Sequence, residues 1–581
     1  MWWFLTEPAR LLHERDAIDR LAAEDIGIEN IRWRHGPNLA LRVEADLRID
    51  EEVRSVAMTY PLIYPNAPPA VCPIGELTEW DAHQYRSTGD LCLEYRADNW
   101  HPDLTGAVML RSALTLMAAD MGLTHQSGWA LPSAHNVTPG QQVRWNLGRM
   151  NTTAAGQAKL SALTGPRPIV LYRAWGPASL MVTLVKMTEP NGSEWIDTSV
   201  PTEFIDEAKF PGLAVPVALD DERLDSINRH LKKDGNSLVL WMLFVGEPIT
   251  DGNARILVLS LPTGLRAFHV YADSHKPFEY AIIAPDAGQR LPPRNAALAE
   301  KTFAILGCGS LGSKVAASLA RSGARKFILV DPDVLTLGNL VRNDLDGGQA
   351  GASKADVVAE RLKRVAAGVE VAAHKFMFGG QEPGSEGDSL VRAIGAADVI
   401  VDMTGDDGAF NYAASAAQFS QKAMCWGHVF GGGFGGLIAR VRPGLDPNPF
   451  DARAMIAQWC DRPEFPEPPP ADRDYGALSK DGPPMVADDA DVSAIAAHFT
   501  RLVIDTAIGG DKSDYECSAY MIGLRKEWIF ERPFDTWPID LGTGLWINAA
   551  EVDPEVRDAS LKMLMEILNA PETNDSSSAD A

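Results

Sequence analysis

The chain lacks most of what would place it in a membrane, outside the cell or on nucleic acid. No uncharged apolar run approaches the length of about 18 residues needed to span a bilayer. The opening MWWFLTEPARLLHERD starts apolar but turns charged at once. Trp2, Trp3 and Phe4 therefore read as packing residues ahead of an amphipathic helix, with no targeting segment. The six cysteines, at 72, 92, 308, 425, 460 and 517, form no CxxC pair. This argues against a structural zinc site and a disulfide framework, and it suits a reducing, cytoplasmic setting. Positive charge is scarce, with 53 Lys and Arg against 78 Asp and Glu and a net charge of −25. Nucleic acid and anionic membranes are thus poor candidates as main partners, since both select a positive face. No His-x-His-Pro followed by Asp occurs, so no metalloprotease centre of that kind is expected.

What is present points to a multi-domain α/β enzyme. A length of 581 residues predicts about three or four domains. Residues 1–150 hold a strand at LALRVEADLR and a helix over Thr105 to Met121. A polar, Gly-containing connector is expected at 151–166. Residues 167–288 run through IVLYRAW, SLMVTLVKM, SLVLWMLFV, ARILVLSL and AFHVYA, all read as strands. That predicts a middle α+β or mostly β domain, with no catalytic motif. From 289 to 550 the pattern is βαβ, predicting a Rossmann-like doubly wound domain. Residues 551–581 read as a C-terminal helix and a disordered tail ending TNDSSSADA.

A nucleotide-binding turn begins at KTFAILGCGSLGSKV. A buried strand, Phe303 to Leu306, enters Gly307-Cys308-Gly309-Ser310-Leu311-Gly312. Gly307 permits the tight turn, Gly309 lets backbone approach a phosphate, and Gly312 lets helix and strand pack closely. The helix N-terminus favours the anion. Asp331 follows Gly312 by nineteen residues and suits ribose hydroxyls. On these residues alone NAD fits as well as ATP, and a NAD-dependent oxidoreductase stays open.

The continuation VDPDVLTLGNLVRNDL is not a typical dehydrogenase sequence. Asp331, Asn339, Arg342 and Lys354 resemble, in order and spacing, the motif of the ubiquitin-activating family and its bacterial ThiF-type adenylating relatives. The resemblance implies that Asp331 holds ribose and that Asn339, Arg342 and Lys354 contact ATP phosphates. Attack of a carboxylate on the α-phosphate builds negative charge, which such cations stabilise. VIVDMTGDDGAF resembles the family's next motif, whose second Asp binds Mg²⁺. Here Gly405 stands at that position, so the metal falls to Asp402 or Asp406, with the nucleotide supplying further oxygens. Asp406 reads equally as a helix cap. The family's second cysteine is sought before the helix ADDADVSAIAAHFTRLVIDTAI. Cys460, in the Pro-rich QWCDRPEFPEPPPADRDYG, is the first candidate and Cys517 the alternative. Cys308 and Cys425 read as small packing residues.

Upstream, Cys92 lies in HQYRSTGDLCLEYRADNWHP, preceded by YPNAPP at Tyr64 to Pro69. This resembles the catalytic region of ubiquitin-conjugating enzymes, where a YPxxPP turn, a histidine, a G-x-[IL]-C-L run and a W-x-P recur in that order. The resemblance covers roughly residues 20–125 and implies that Cys92 carries a thioester and that His83 shapes its site. The family's His-Pro-Asn reads His83-Gln84-Tyr85 here, so the asparagine credited with holding the oxyanion is missing. The whole chain resembles bacterial fusions of a conjugating-enzyme-like domain to an activating-enzyme-like domain, found in antiphage defence and other ubiquitin-like operons. That implies ATP and Mg²⁺ as cofactors. It implies as partner a ubiquitin-like or nucleotidyltransferase-like protein with a free C-terminal carboxylate, often Gly. It also implies a homodimer, with Arg294 projecting into the neighbour's site. A catalytically decayed scaffold of the same architecture is the remaining alternative.

Overall fold

Alternating and helical apolar patterns resolve into two units, residues 1–142 and 143–581. The computed structural model describes residues 2–569 except 25–26, 75–83, 86–88, 122–138, 177–178, 274, 286–289, 381–383, 468–486, 511, 545 and 547–552. His83 and the C-terminal tail lie outside the described residues.

In the first unit, α1 (Trp3–Thr6) and α2 (Pro8–Ala23) precede a four-stranded antiparallel meander. Its strands are β1 (Ile28–His35), β2 (Leu41–Ile49), β3 (Glu52–Thr59) and β4 (Ala70–Pro73). Val43, Ala45 and Leu47 of β2 are fully buried, as strict alternation requires when only one face is covered. That face packs on Ile18 and Leu21 of α2 and on Met109, Leu110, Ala113 and Met117 of α3 (Gly106–Asp120). A short α4 (Pro139–Gln142) ends the unit.

The second unit opens with a closed barrel. Its elements are β5 (Gly148–Asn151), α5 (Ala154–Ser161), β6 (Arg167–Gly176), β7 (Ser179–Thr188), β8 (Glu194–Ile196), α6 (Thr202–Glu207), β9 (Phe210–Pro216), α7 (Asp221–Asp234), α8 (Ser237–Val245), β10 (Arg255–Leu261), β11 (Gly264–Val270) and β12 (Phe278–Ile283). The strand order β5-β12-β11-β10-β9-β6-β7-β8 is closed by parallel pairing of β5 with β7. Closure removes the exposed edges that an open sheet would leave. Two expectations are corrected here. Residues 151–166 are no connector, because Asn151 belongs to the closing strand and α5 follows with Leu160 fully buried. SLVLWMLFV is helix α8, capped by Asn236 and stopped by Gly246 at φ +81°. An uninterrupted apolar run does not separate strand from helix.

The remainder is an eight-stranded sheet with helices on both faces. It contains β13 (Thr302–Leu306), α9 (Ser310–Ser322), β14 (Lys326–Val330), α10 (Lys354–Val365), β15 (Glu370–His374), α11 (Gly384–Ala396), β16 (Val399–Asp402), α12 (Asp407–Ser420), β17 (Ala423–Val429), β18 (Gly435–Val441), α13 (Pro449–Cys460), α14 (Asp489–Ile508), β19 (Ala519–Gly523) and β20 (Thr536–Ile539). The order is β15-β14-β13-β16-β17-β18-β19-β20, parallel through β17 and antiparallel beyond. From β13 the chain first builds outward to β15, then returns to β16 on the other side. That reversal opens a crevice at the strands' carboxyl ends, where ligands bind in such sheets. α14 buries Val492, Ile495, Ala496, Phe499, Leu502 and Val503, an i, i+3, i+4 stripe. A final helix, α15 (Pro554–Leu568), buries no residue. The barrel is tied to this sheet through α6. Thr202 N donates to Ala366 O, and Arg364 of α10 pairs with Glu203 at 2.8 Å. Among the described residues, no helix is long and apolar enough to cross a membrane.

Candidate functional site

The three glycines of the turn do three different things. Gly307 has φ +88°, in the left-handed region that a side chain disfavours. A Cβ at Gly312 would stand 1.8 Å from Gly307 O, so helix α9 is seated directly on the end of β13. A Cβ at Gly309 would meet nothing within 4 Å, which leaves an open cradle above that backbone. No side chain caps the N-terminus of α9, so its first amides remain available to an anion. This arrangement fits a nucleotide phosphate.

Asp331 follows β14 and is buried. It accepts from Cys308 N at 2.7 Å and from Asp333 N at 2.9 Å, holding the turn against the next strand. Burial raises its pKa, partly offset by these amides and by Lys354. Lys354, first residue of α10, pairs with Asp333 at 2.8 Å, and its charge reaches both Asp331 and Cys308. The fold thus brings together the glycine turn, Asp331 and Lys354. Asn339 and Arg342 sit on the intervening short 3-10 turn, Leu337–Val341, and at its C-cap. Asn339 Oδ1 accepts from Thr336 N at 3.0 Å in a capping box, so its oxygen is used to shape that loop. Arg294 pairs with Asp514 of its own chain at 3.2 Å.

At the end of β16, Asp402 is 5 % exposed and accepts from Thr404 N and Oγ1, both on Oδ1. Burial pushes its pKa up to about 6. Gly405 has φ +66°, which explains the glycine where the family pattern has Asp. Asp406 Oδ1 caps α12 through Ala409 N at 2.8 Å, leaving Oδ2. Each aspartate keeps one oxygen, which suits a cation completed by phosphate oxygens. Among the described residues no three His, Cys, Asp or Glu side chains form a metal cluster by themselves. Arg453, missed in the sequence, reaches this corner from α13. It bonds Asp407, lies 4.3 Å from the Phe410 ring centroid, and lowers the pKa of Asp402. No local signal identifies it, because its partner lies 46 positions away.

Cys460 is not in the Pro-rich loop, contrary to expectation. It is the last residue of α13, which Asn448 caps and which continues helically up to it. Its side chain packs against the second large apolar core, and burial raises its pKa to about 11. It follows Arg453 by seven residues, hence on nearly the same helix face and about 10.5 Å along the axis. Cys517 precedes β19, whose first residue, Ala519, is level with Asp402 through Ala439 and Trp426. Three strand spacings put it roughly 14 Å across the sheet. Its thiol is also raised, by burial and by Asp540 and Glu516. Cys308 and Cys425 are fully buried packing residues, as expected.

In the first unit, Cys92 is 7 % exposed. Leu91 N donates to Val71 O at 2.7 Å, tethering the cysteine's neighbour to β4. Trp100 Nε1 donates to Pro65 O at 2.7 Å, joining the W-x-P segment to the YPNAPP turn. Beneath them lies a buried carboxylate that sequence reading missed. Glu14 accepts from Tyr60 OH at 2.8 Å and from Gly106 N at 2.7 Å, bonds Tyr64 OH, and pairs with Arg10 at 3.0 Å. It therefore caps the N-terminus of α3 from α2. Burial, then the neighbouring Cys92, raises the pKa of Tyr85, and Arg96 partly offsets this.

With this geometry in place, comparison with known proteins is direct. Residues 286–468 match the ThiF family, and residues 167–286 match a domain observed between E2 and E1 domains. The chain is 32% identical over 161 residues to the ATP-dependent ubiquitin transferase-like protein Cap2 of Enterobacter hormaechei subsp. hoffmannii (strain UCI 50), covering 26% of each. It is 40% identical over 94 residues to adenylyltransferase and sulfurtransferase MOCS3 of Mus musculus, covering 16% of this chain and 20% of that one. These matches thus span only about a quarter or less of the relatives' lengths. The crystal structure of E. coli MccB with ATP aligns at 15% identity and a TM-score of 0.32, covering 43% of this chain and 67% of that one, a likeness too loose to bear on function. The doubly wound region is therefore similar to the ThiF family, and the barrel before it to a domain observed between E2 and E1 domains.

Proposed function

We propose that this protein activates the C-terminal carboxylate of a partner protein with ATP and passes the acyl group through two cysteines to an acceptor nucleophile. The observation that carries the reading is the convergence of the open Gly309 cradle, Asp331 and Lys354 in a ThiF-family domain, on one chain with the Cys92 segment. The partner's carboxylate attacks the α-phosphorus and pyrophosphate leaves. Arg342 and Lys354 offset the charge that builds up, and Asp402 or Asp406 holds Mg²⁺. A cysteine thiolate then displaces AMP, and transthiolation moves the acyl group to Cys92. Cys460 is the proposed capture residue, on the helix face it shares with Arg453. Cys517 is the second reading, favoured by its weaker shielding from solvent, since burial drives the Cys460 thiol further up. The proposed partner is a ubiquitin-like or nucleotidyltransferase-like protein ending in a free carboxylate, and the proposed assembly a homodimer; similarity to an ATP-dependent ubiquitin transferase-like protein supports the first kind of partner.

The test is ATP–pyrophosphate exchange with a partner of that kind, followed by a non-reducing gel. Exchange should require the free C-terminus. A DTT-sensitive adduct in Cys92→Ala should vanish in Cys92→Ala with Cys460→Ala and persist with Cys517→Ala. The reverse pattern moves the capture step to Cys517. Binding of NAD⁺ with no exchange would overturn the reading.

A further inference from the structure

On helix α7 of the barrel one polar side chain sits where the helical pattern calls for an apolar one. Leu224 and Leu231 are buried in the core beneath α7, and Asn228 lies between them on the same stripe, 4 % exposed. Its Nδ2 donates to Glu279 Oε2 of β12 at 3.2 Å. Glu279 is a carboxylate paired with Arg266 at 2.6 Å, so it can only accept, and the amide must turn its nitrogen toward it. Oδ1 is then left buried with no hydrogen-bond partner among the described residues. An unmatched buried acceptor is destabilising, and a leucine at this position would avoid the loss.

Asn228 stands at the wall of a cavity of about 470 Å³, within the size range of small-ligand sites. The other lining groups are charged and sorted by sign. Glu222 and Asp225 lie toward the start of α7, Arg229 and Lys232 toward its end, and Glu279 comes from β12. That order alone complements the helix dipole and calls for no ligand. The unmatched groups do. Arg266 takes Asp225 Oδ1 at 2.6 Å, which leaves Oδ2. Arg229 donates its Nε to Asp225 O at 3.3 Å, which leaves its terminal nitrogens. Glu222 and Lys232 form no ion pair among the described residues. Asn228 Oδ1, Asp225 Oδ2 and Glu222 thus make an acceptor end, and Arg229 and Lys232 a donor end. Lys232 is about 6 Å along the axis from Asn228 and about 10 Å from Asp225. Among the described residues no cluster for a metal ion forms, and the flanking arginines oppose a bare cation.

We propose that this cavity binds a zwitterion of the lysine type, its ammonium held by Asn228 Oδ1, Asp225 and Glu222 and its carboxylate by Arg229 and Lys232. The ammonium supplies the donor that Asn228 lacks, and its three N–H groups match three acceptors. The carboxylate meets two cations within the next turns of the same helix. An extended lysine has about this span from side-chain nitrogen to carboxylate. The same chemistry has two sources: a free amino acid, or a lysine and an acidic side chain presented together by a protein segment. The site shares no residue with the glycine turn or with Cys92, so it stands or falls independently of the proposed function.

Calorimetric titration of the full chain with ε-aminocaproate, hexylamine and hexanoate tests this. The two-ended probe should bind saturably. Each one-ended probe should bind more weakly by about tenfold or more, the loss of one charged hydrogen-bonding contact. Lys232→Ala should bring ε-aminocaproate down toward the affinity of hexylamine and leave hexylamine unchanged. Glu222→Ala and Asn228→Leu should do the converse, weakening hexylamine and ε-aminocaproate and leaving hexanoate unchanged. Glu222 and Lys232 are exposed, so their variants carry the test even if Asn228→Leu misfolds. L-lysine against the capped peptide acetyl-Lys-Ala-Ala-Glu-amide then separates the sources. Tighter binding of lysine assigns a free amino acid, and tighter binding of the peptide assigns a protein segment. Absence of saturable binding by ε-aminocaproate and by the peptide overturns the proposal. So do affinities that neither Lys232→Ala nor Glu222→Ala moves.

Discussion

The glycine turn and the Cys92 pocket are built from opposite materials. The turn is a backbone device: Gly307 takes a left-handed φ, Gly309 leaves space, and Gly312 presses its α-carbon against a carbonyl. Every requirement is local, and at Gly307 and Gly312 only glycine meets it. The pocket is a side-chain device. Glu14 bonds Gly106, 92 positions away, and Tyr60, 46 positions away, while Trp100 reaches back 35 positions to Pro65. A backbone site fails when a single atom is added. A side-chain site fails when a partner is lost, and it fails by degrees.

The sharpest break of that contrast is Gly312→Val. The added carbon overlaps Gly307 O, and backbone on both sides prevents relief. Loss of soluble folded protein is expected, read by circular dichroism and expression. Gly309→Ala has room for its methyl group and should keep the wild-type melting temperature while losing ATP affinity, measured by titration with a fluorescent nucleotide. Equal ATP affinity in Gly309→Ala and wild type would remove the cradle from the mechanism. Next in size is Lys354→Ala, which deletes a cation that touches Asp333 and the Asp331 field. Pyrophosphate exchange should fall by about 10²-fold or more with folding intact.

On the other side of the comparison, Glu14→Ala leaves Arg10 without its carboxylate partner and removes the acceptor of the Tyr60 and Tyr64 hydroxyls and of the Gly106 amide. Removing one member of a buried ion pair costs about 3–5 kcal/mol. In calorimetry of the full chain, one transition should move down and another stay put. Glu14→Gln should lose less, since the amide oxygen still accepts. If Glu14→Ala melts like wild type, the network is ornamental to the pocket.

Legibility in the sequence follows the same division. Gly307, Gly309, Gly312 and Asp331 are readable because spacing alone encodes a strand–turn–helix, and the sheet places them as that spacing requires. Lys354 is readable only through its place after Asp331, Asn339 and Arg342 in the family-like order; that it opens helix α10 is seen in the fold. Glu14 and Arg453 are not, because each acts on residues that only the tertiary fold brings near. The shifted Asp motif was legible as a departure, whereas its cause, the left-handed φ at Gly405, needed coordinates. SLVLWMLFV was misread because composition gave no period, and residues 151–166 because a four-residue closing strand carries almost no pattern.

The smallest expected effect tests Asp402, where a side chain enters the backbone-built site. Burial raises its pKa from 3.8 to about 6. Below the unfolded value the group is protonated in both states. Between the two values the folded protein keeps a proton that the unfolded chain has lost. The stability this group contributes is therefore present below pH 3.8 and is lost as pH rises through about 6. Activity runs the other way, because a carboxylate that binds Mg²⁺ must be ionised, so kcat/KM for pyrophosphate exchange should climb through pH 6. Asp402→Asn mimics the protonated form, so the difference in melting temperature between the two proteins isolates Asp402. That difference should be near zero at pH 3, should already be evident at pH 5, and should favour Asp402→Asn by a few degrees at pH 8. Parallel melting curves across this range would mean that Asp402 is not held protonated by its surroundings, and the acid limb of activity would then need another source.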